Sequence, residues 1–206
     1  MRPNRLSWLF LALGAALCFG FPVSTIWKQT QILQRGVSVK FSLRPVDPYD
    51  PFRGRYIWLN FDLNRAPASE EDPPLEARGA AYLSLQIDDN GFADAGFLSA
   101  SPPSDGLYLR VENVHSWLDG LWAFSLPFDR YYLNESDAKR VEEIAREELS
   151  PQQDEDANAR RMLENYLRIR ILDGEAAIEG YYLGGETVET RLARPTPIPL
   201  HRSSKE

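Results

Sequence analysis

The sequence predicts an N-terminal transmembrane helix followed by one mainly β domain of the α+β type, with antiparallel hairpins and one amphipathic helix. Three observations support this prediction. Residues 6–27 are a run of 22 residues without a charged side chain. Several later segments alternate apolar and polar residues between turn-forming Gly, Asn, Asp and Pro, which is typical of strands. One segment, which follows Asn134, repeats apolar residues at helical spacing.

The uncharged N-terminal segment is long enough to cross a bilayer. As a helix, 22 residues extend about 33 Å, against a hydrocarbon core of roughly 30 Å. Trp8 and Trp27 lie near its two ends, where indole side chains favour the membrane interface. The alternatives are a signal peptide cleaved near Gly20 and a lipid anchor on Cys18. The apolar run continues past Gly20, and Leu17 is bulkier than the residue that precedes a lipidated cysteine, so we expect an uncleaved anchor.

The basic residues beside this segment leave its orientation open. Arg2 and Arg5 lie in the short tail of residues 1–5, and Lys28, Arg35 and Lys40 follow the apolar run. Because basic residues favour the cytoplasmic side of a membrane, the two groups compete.

Charge and cysteine content exclude several classes of function. Beyond Lys28 the chain has 20 basic and 30 acidic residues, a net charge of −10, whereas nucleic-acid binding needs a basic face. Cys18 is the only cysteine, so no intramolecular disulfide and no cysteine metal site can form. Besides His115 and His201 there is no histidine, and we predict no metal site and no cofactor.

Strands are predicted along residues 28–193, which we expect to form the domain. Residues 37–43 and 56–62 each alternate apolar and polar side chains. Residues 82–87 and 92–98 predict a hairpin, and residues 107–111 and 121–126 predict two further strands. In the hairpin, a three-residue loop with a left-handed Gly91 keeps the apolar residues on one face. The expected pairs are Ile87 with Ala93, Leu85 with Ala95, and Leu83 with Phe97.

The C-terminal third predicts a helix and a second hairpin. Asn134 is a helix N-cap candidate, followed by an apolar stripe that includes Ala138, Val141 and Ala145. A two-residue turn at Asp173 and Gly174 predicts the hairpin. Residues 150–160 are expected to be an exposed linker, and residues 194–206 a flexible tail.

A short motif begins at Pro51 and reads PFRGRYIWLNF. Gly54, Tyr56 and Leu59 match the pattern for which the GDYXXLXY family of small bacterial membrane-anchored proteins is named, whereas Arg55 stands for its Asp and Phe61 for its last Tyr. Residues 128–135, with the helix that follows, resemble the second block of the family. Residues 167–183 resemble its closing pair of strands. The N-terminal anchor is similar too.

The resemblance implies a location and a kind of partner, but no reaction. It implies a cytoplasmic N-terminus and an extracytoplasmic domain at the bacterial inner membrane. Family members resemble accessory subunits that are encoded beside polytopic membrane proteins. The departures at Arg55 and Phe61 place in doubt any role that needs that carboxylate or that phenol.

Candidate interaction residues lie in the motif and in the second block. They are Arg53, Gly54, Arg55, Tyr56, Trp58, Leu59, Phe61, Tyr131 and Tyr132. The two arginines could bind an anion, but pairing with nearby Asp47, Asp50 and Asp62 is the interpretation we favour. Tyr56 and Trp58 alternate with the expected core face and so form either a second layer or an aromatic patch.

Three other features have a simple structural interpretation. Asp88-Asp89-Asn90-Gly91 resembles the start of a calcium loop but lacks the spaced ligands, which favours a β-turn. His115, near Trp117 and Asp119, could act as a general base, although a lone histidine is more often structural. Six aromatic residues could form a groove for a lipid, glycan or peptide, but core packing explains most of them. They are Trp117, Trp122, Phe124, Phe128, Tyr131 and Tyr132.

The sequence predicts a membrane-anchored extracytoplasmic protein that acts as a non-catalytic accessory or interaction subunit of a membrane protein. The alternative is an extracytoplasmic ligand-binding module that uses an aromatic surface. We do not expect an enzyme, since no nucleophile, base or metal constellation is recognisable. The expected partners are the lipid bilayer, through residues 6–27, and a polytopic membrane protein, with no nucleic acid.

Overall fold

The computed structural model describes residues 5–43, 56–61, 63–69, 75, 79–149 and 163–194. The chain divides into two compact units. Unit 1 comprises Met1–Val39, Asn64–Pro127 and Ile169–Glu179. Unit 2 comprises Lys40–Leu63, Phe128–Arg168 and Gly180–Glu206. The predicted bounds of one domain, 28–193, stay a prediction.

The described residues are mainly strands in antiparallel sheets, which confirms the mainly β fold class. The strands are β1 (Val37–Ser42), β2 (Tyr56–Trp58), β3 (Arg65–Pro67), β4 (Ala81–Ile87), β5 (Ala93–Ser99), β6 (Leu107–Ser116), β7 (Leu121–Ser125), β8 (Arg130–Tyr132), β9 (Tyr166–Leu172), β10 (Glu175–Leu183) and β11 (Glu186–Thr187). The helices are α1 (Arg5–Arg35), α2 (Glu135–Leu149) and α3 (Val188–Ala193). The short helix α3 was not expected from the sequence.

Unit 1 contains a five-stranded sheet that nearly closes on itself. Its strand order is β3-β7-β6-β4-β5. Ala68, directly after β3, forms a parallel bridge with Leu98 of β5, so the two edge strands meet. Closing a sheet in this way removes exposed edges, which otherwise attract other chains. Leu83, Leu98 and Leu109 are fully buried in it.

The β4–β5 hairpin confirms most of the predicted register. Gly91 is left-handed, with φ of 83°, and Ile87 pairs with Ala93 and Leu85 with Ala95. The third expected pair is wrong, because Leu83 pairs with Leu98 and not with Phe97.

A β-bulge between Leu83 and Leu85 causes this shift. Ser84 Oγ accepts a hydrogen bond from the backbone N–H of Phe97, at 2.8 Å. A Cβ at Gly96 would lie only 2.3 Å from that hydroxyl, so this position needs glycine. The extra residue turns Phe97 outward and places Leu98 in the core.

Strand β6 extends five residues beyond the predicted 107–111, to Ser116. It crosses an irregularity between Glu112 and His115, where Asn113 is left-handed with φ of 53°. The irregularity hides the period-two pattern, because it shifts which face each later side chain occupies. Val114 is nevertheless fully buried.

Unit 2 contains helices α2 and α3 and the two-stranded sheet β2-β8. Asn134 caps α2 as predicted, since its Oδ1 accepts the backbone N–H of Asp137 at 2.9 Å. Ala138, Val141 and Ala145 are buried, which confirms the apolar stripe. The helix packs against β2 and α3.

A four-stranded sheet has the order β1-β9-β10-β11. Its strands β1, β9 and β10 each contribute residues to both units. The buried side chains of β9, Leu167, Ile169 and Ile171, alternate with the half-buried Arg168 and Arg170. The predicted turn before β10 is confirmed, because Asp173 and Gly174 are left-handed, with φ of 51° and 76°.

Helix α1 includes the whole uncharged segment and continues to Arg35. Its last turns join unit 1: Ile32 is buried, Lys28 pairs with Glu175 at 2.9 Å, and Gly36 lies against the backbone of Ile171. A Cβ at Gly36 would lie 3.0 Å from the Ile171 nitrogen and 2.5 Å from the Ile32 oxygen. The close approach explains a glycine at the point where the helix ends.

Among the residues that the structure describes, no helix has the length and apolar character required to cross a membrane. The linker at residues 150–160 lies outside the described residues, as does the predicted tail except Arg194.

Gly174 provides a test of the packing in unit 1. Gly174→Ala should lower the free energy of unfolding, because a left-handed alanine costs about 1–2 kcal/mol and its Cβ would lie 2.6 Å from the Tyr108 ring. Chemical denaturation measures the loss.

The control is Gly91→Ala, which has the same backbone strain at φ of 83° with nothing within 4 Å of the added Cβ. The difference between the two variants isolates the contact with Tyr108. Equal losses of unfolding free energy in the two variants would show that the contact with Tyr108 does not contribute at this turn.

Candidate functional site

The family motif and the second block pair with each other as strands β2 and β8. The pairs are Tyr56 with Tyr132, Ile57 with Tyr131, and Trp58 with Arg130. The pairing continues where the backbone N–H of Leu59 donates to the Asp129 oxygen at 2.8 Å. The two segments that resemble the family blocks therefore form one structural element. We call it the motif ladder (residues 56–61 and 128–132).

The core end of the motif ladder is a cluster of three phenyl rings. Phe41, Phe61 and Phe128 are all buried and pack edge to face, with ring centroids 5.0–6.2 Å apart. Edge-to-face packing places the positive ring edge against the negative ring face. Phe61 stands where the family pattern has a tyrosine, and a phenol there would need a hydrogen-bond partner inside this cluster. Phenylalanine in place of the family's tyrosine therefore fits the apolar packing of this cluster.

Tyr131 connects the motif ladder to helix α3. Its hydroxyl donates a hydrogen bond to Glu189 Oε1, and its ring packs on that of Tyr181 with centroids 5.5 Å apart. Glu189 lies in the first turn of α3, which Thr187 caps through its side chain. Because a carboxylate near a helix N-terminus is favourable, this turn suits Glu189.

Both tyrosines of this contact are held in the protonated form. Burial, and then the hydrogen bond and negative charge of Glu189, raise the pKa of Tyr131 well above its usual range. Burial raises the pKa of Tyr181 in the same way, with a smaller contribution from Tyr131. Groups that keep their protons so firmly are poor bases and poor nucleophiles at neutral pH. The arrangement stabilises the fold.

A second group of aromatic and basic side chains lies within unit 2, on the four-stranded sheet. We call this group the stack (Lys40, Tyr166, Arg168 and Tyr182). The rings of Tyr166 and Tyr182 are parallel, with centroids 4.7 Å apart. The Arg168 guanidinium lies 4.5 Å from the Tyr182 centroid, and Lys40 Nζ lies 5.1 Å from that of Tyr166. Cations over ring faces are attracted by the ring quadrupole. The stack holds three neighbouring strands together on the face opposite Phe41.

His115 contacts a backbone oxygen and an aromatic ring. His115 is exposed, and its Nδ1 lies 2.9 Å from the backbone oxygen of Asn113. Its ring meets the edge of Trp117, whose indole is covered on one face by Arg65 at 4.5 Å. These contacts are consistent with the structural interpretation of His115, which stays a prediction.

Asp88 begins a turn, as predicted, and not a calcium loop. Its Oδ1 accepts the backbone N–H groups of Asn90 and Phe92, at 2.9 and 2.7 Å. Within the described part of the chain, no group of three or more His, Cys, Asp or Glu side chains could hold a metal ion.

The six aromatic residues predicted as a possible groove are divided between the two units. Trp117, Trp122 and Phe124 belong to unit 1, and the other three, Phe128, Tyr131 and Tyr132, to unit 2. Phe124 and Phe128 are buried. Tyr132 is 69% exposed, directly beside the half-buried Tyr131.

The structure describes some of the predicted site residues in full, and others only in part or not at all. Leu59 and Phe61 are core residues, and Tyr131 and Tyr132 lie on β8. The backbone of Tyr56 and Trp58 is in β2, but their side chains lie outside what the structure describes, as do Arg53, Gly54 and Arg55 altogether.

Sequence reasoning missed the partners that arrive from distant parts of the chain: Glu189, Tyr181, Tyr182 and Arg168. A signal for the stack was present, since Tyr166 and Arg168 alternate with the apolar Leu167 and Ile169 and so share one face of β9. No comparable signal points to Glu189, which is 58 residues from Tyr131.

Comparison with known proteins identifies the family of the chain. The family described as GDYXXLXY protein matches residues 18–180. The match covers more than half of the chain and includes both strands of the motif ladder, and the chain belongs to the GDYXXLXY family. No curated protein and no solved structure matches it.

The raised pKa values of Tyr131 and Tyr181 predict a loss of stability at alkaline pH. Above about pH 10, the usual pKa of tyrosine, the unfolded chain loses phenol protons that the folded chain keeps. The unfolded state therefore gains stability as the pH rises, and the free energy of unfolding falls. Urea unfolding at a series of pH values measures this decline.

The double variant Tyr131→Phe with Tyr181→Phe should show a shallower decline than the wild type, because it has lost both phenols. Tyr132→Phe is the control, since it removes one phenol from an exposed position of the same strand. A decline of equal steepness in the double variant would show that these two tyrosines are not responsible.

Proposed function

We propose that the protein is a single-pass, membrane-anchored accessory subunit, with the apolar run of α1 (residues 6–27) in the inner membrane and with unit 2 and the rest of unit 1 on the extracytoplasmic side. The observation that carries this proposal is the exposed apolar surface of α1 at the N-terminal end of unit 1. In this proposal the units have no catalytic role and bind a polytopic membrane protein.

Large apolar side chains are exposed on two opposite sides of α1. Phe19 and Val23 share one face because they are four residues apart, whereas Phe21 lies on the opposite side, and all three are exposed. Ile26 and Trp27 are exposed as well. A helix that is apolar all round is normally buried in a protein core or in a membrane. A bilayer is the environment that would cover this surface on every side.

The junction between α1 and unit 1 also supports anchoring. Lys28 is the first charged residue after the apolar run, and it pairs with Glu175 of unit 1. A charged side chain at this point suits the boundary between hydrocarbon and water. Because α1 continues without interruption to Arg35, the anchor and unit 1 are joined by helix and not by a loop.

The orientation rests on resemblance. The basic residues on the two sides of α1 compete, and the family resemblance favours a cytoplasmic N-terminus. A reporter fused after Glu206 that is active only in the cytoplasm would refute this orientation.

The membrane anchor is tested by charge substitution. With Phe10→Arg and Phe19→Arg together, we expect the chain to leave the membrane fraction, because an arginine near the helix centre, as at position 19, costs about 2.5–3.5 kcal/mol of insertion free energy and the arginine at position 10 adds to this cost. The measurement is the share of chain that stays in the membrane pellet after alkaline carbonate extraction.

The control variant is Phe10→Leu with Phe19→Leu, which keeps both side chains apolar and should stay in the pellet. Extraction of the wild-type chain by carbonate would contradict the anchor. So would full retention of the arginine variant.

The partner is expected at the motif ladder. Tyr132 is exposed on β8, next to the strand that carries the family motif. A photo-reactive amino acid at Tyr132 should crosslink the full chain to a polytopic membrane protein in intact cells. The crosslinked band is identified by mass spectrometry.

The same group at Asp105, an exposed loop position of unit 1, is the control and should give no such band. Recovery of no membrane protein from Tyr132 would contradict the proposal. Equal yields from the two positions would show that the motif ladder is not the contact.

The alternative, an extracytoplasmic ligand-binding module with an aromatic surface, is less well supported. Of its six aromatic residues, Phe124 and Phe128 are buried. Buried rings of a packed core offer no contact area to a lipid, glycan or peptide.

A further inference from the structure

The hairpin between β6 and β7 ends in an exposed apolar tip, which we call the hairpin tip (residues 117–120). Leu118 is 73% exposed and Trp117 is 43% exposed. Neither side chain contributes to the core of unit 1. Large apolar side chains that are exposed together at a turn mark surfaces that bind a membrane or another protein.

The hairpin tip is an ordered structure with defined contacts. The backbone N–H of Trp117 donates to the Leu121 oxygen at 2.8 Å. Asp119 and Gly120 are both left-handed, with φ of 60° and 75°, which turns the chain sharply beneath Leu118. The Arg65 guanidinium lies 4.5 Å from the Trp117 ring and holds one face of the indole. A preorganised tip loses little conformational entropy when it binds.

The chemistry of the hairpin tip fits a phospholipid interface. Tryptophan concentrates at the headgroup level of membranes, where its ring is apolar and its N–H meets water. The guanidinium of Arg65 can donate to phosphate oxygens beside it. Asp119 is also at the tip, and the chain beyond Lys28 has a net charge of −10. Apolar insertion, and not attraction to anionic lipid, is therefore the expected driving force.

The connection to α1 limits how far the hairpin tip can lie from the end of the anchor. Lys28 of α1 pairs with Glu175, and the neighbouring Gly174 accepts the backbone N–H of Arg110 at 2.8 Å. From Arg110, β6 runs to Trp117 over seven residues, which is about 24 Å at 3.4 Å per residue. All these residues belong to unit 1. Trp117 thus lies no more than about 24 Å from Arg110, which is beside the contact between α1 and the rest of unit 1.

We propose that Trp117 and Leu118 insert into the interfacial layer of the membrane that holds α1, so that unit 1 has a second contact with the bilayer. The inference rests on the proposed function, because it needs α1 as the anchor. The second contact adds to the orientation that the helical connection through α1 already gives unit 1.

The full-length chain in phosphatidylcholine vesicles provides the test. In a Cys18→Ser background, Leu118→Cys is labelled with an environment-sensitive fluorophore. Asp105→Cys, labelled in the same way, is the matched control: it is exposed and lies just before β6, at the end of the strand opposite the hairpin tip. The emission is recorded with and without spin-labelled lipid as a quencher.

We expect the label at position 118 to show blue-shifted emission and to be quenched by the lipid, while the label at position 105 shows neither effect. The result should hold in neutral lipid and should not change with added salt. Equal behaviour of the two labels would overturn the inference, as would quenching at position 118 only when anionic lipid is present.

Carbonate extraction of the same vesicles separates the two proposals. If the chain stays in the vesicles but the label at position 118 is not quenched, the insertion of the hairpin tip is wrong and the anchor stands. If carbonate removes the chain, the anchor is wrong, and the insertion of the hairpin tip is wrong as well because it depends on the anchor.

Discussion

Burial of one face of each strand is the interaction on which this structure depends. Cys18 is the only cysteine, so no disulfide can hold the units together. Stability must come from apolar side chains removed from water, at about 25 cal/mol per Å² of apolar surface. The alternation of buried Val39 and Phe41 with half-buried Lys40 on β1 shows how this constraint works. Each strand has to turn a continuous apolar row inward, which defines its register.

The family motif follows from the same constraint. Its strand β2 pairs with β8, and its later residues Leu59 and Phe61 are buried. Phe61 packs among phenyl rings, where a hydroxyl would be costly. The letters of the motif that the structure describes thus have structural roles, and Tyr131 and Glu189 extend this role to α3. This explains why the motif identifies a family without identifying a reaction.

The polar groups of unit 2 are arranged for rigidity. Tyr131 and Tyr181 keep their protons because they are buried and because Glu189 is close to Tyr131. The stack joins Lys40, Tyr166, Arg168 and Tyr182 across neighbouring strands. Rigid units with exposed positions such as Tyr132 and Leu118 suit the contact roles that we propose. An anchored protein of this kind would act by holding its contact surfaces at a defined position beside the membrane.

The sequence by itself determined the features that depend on neighbours in the chain. The mainly β class, the cap at Asn134, the left-handed Gly91 and the turn at Asp173 and Gly174 were all predicted, since each depends on side-chain period or on local backbone preference. Only the tertiary structure decided the bulge opposite Ser84, the extension of β6 past Asn113 and the bond from Tyr131 to Glu189. These depend on which distant segment lies alongside, and the energy of such a contact appears only when the chain has folded.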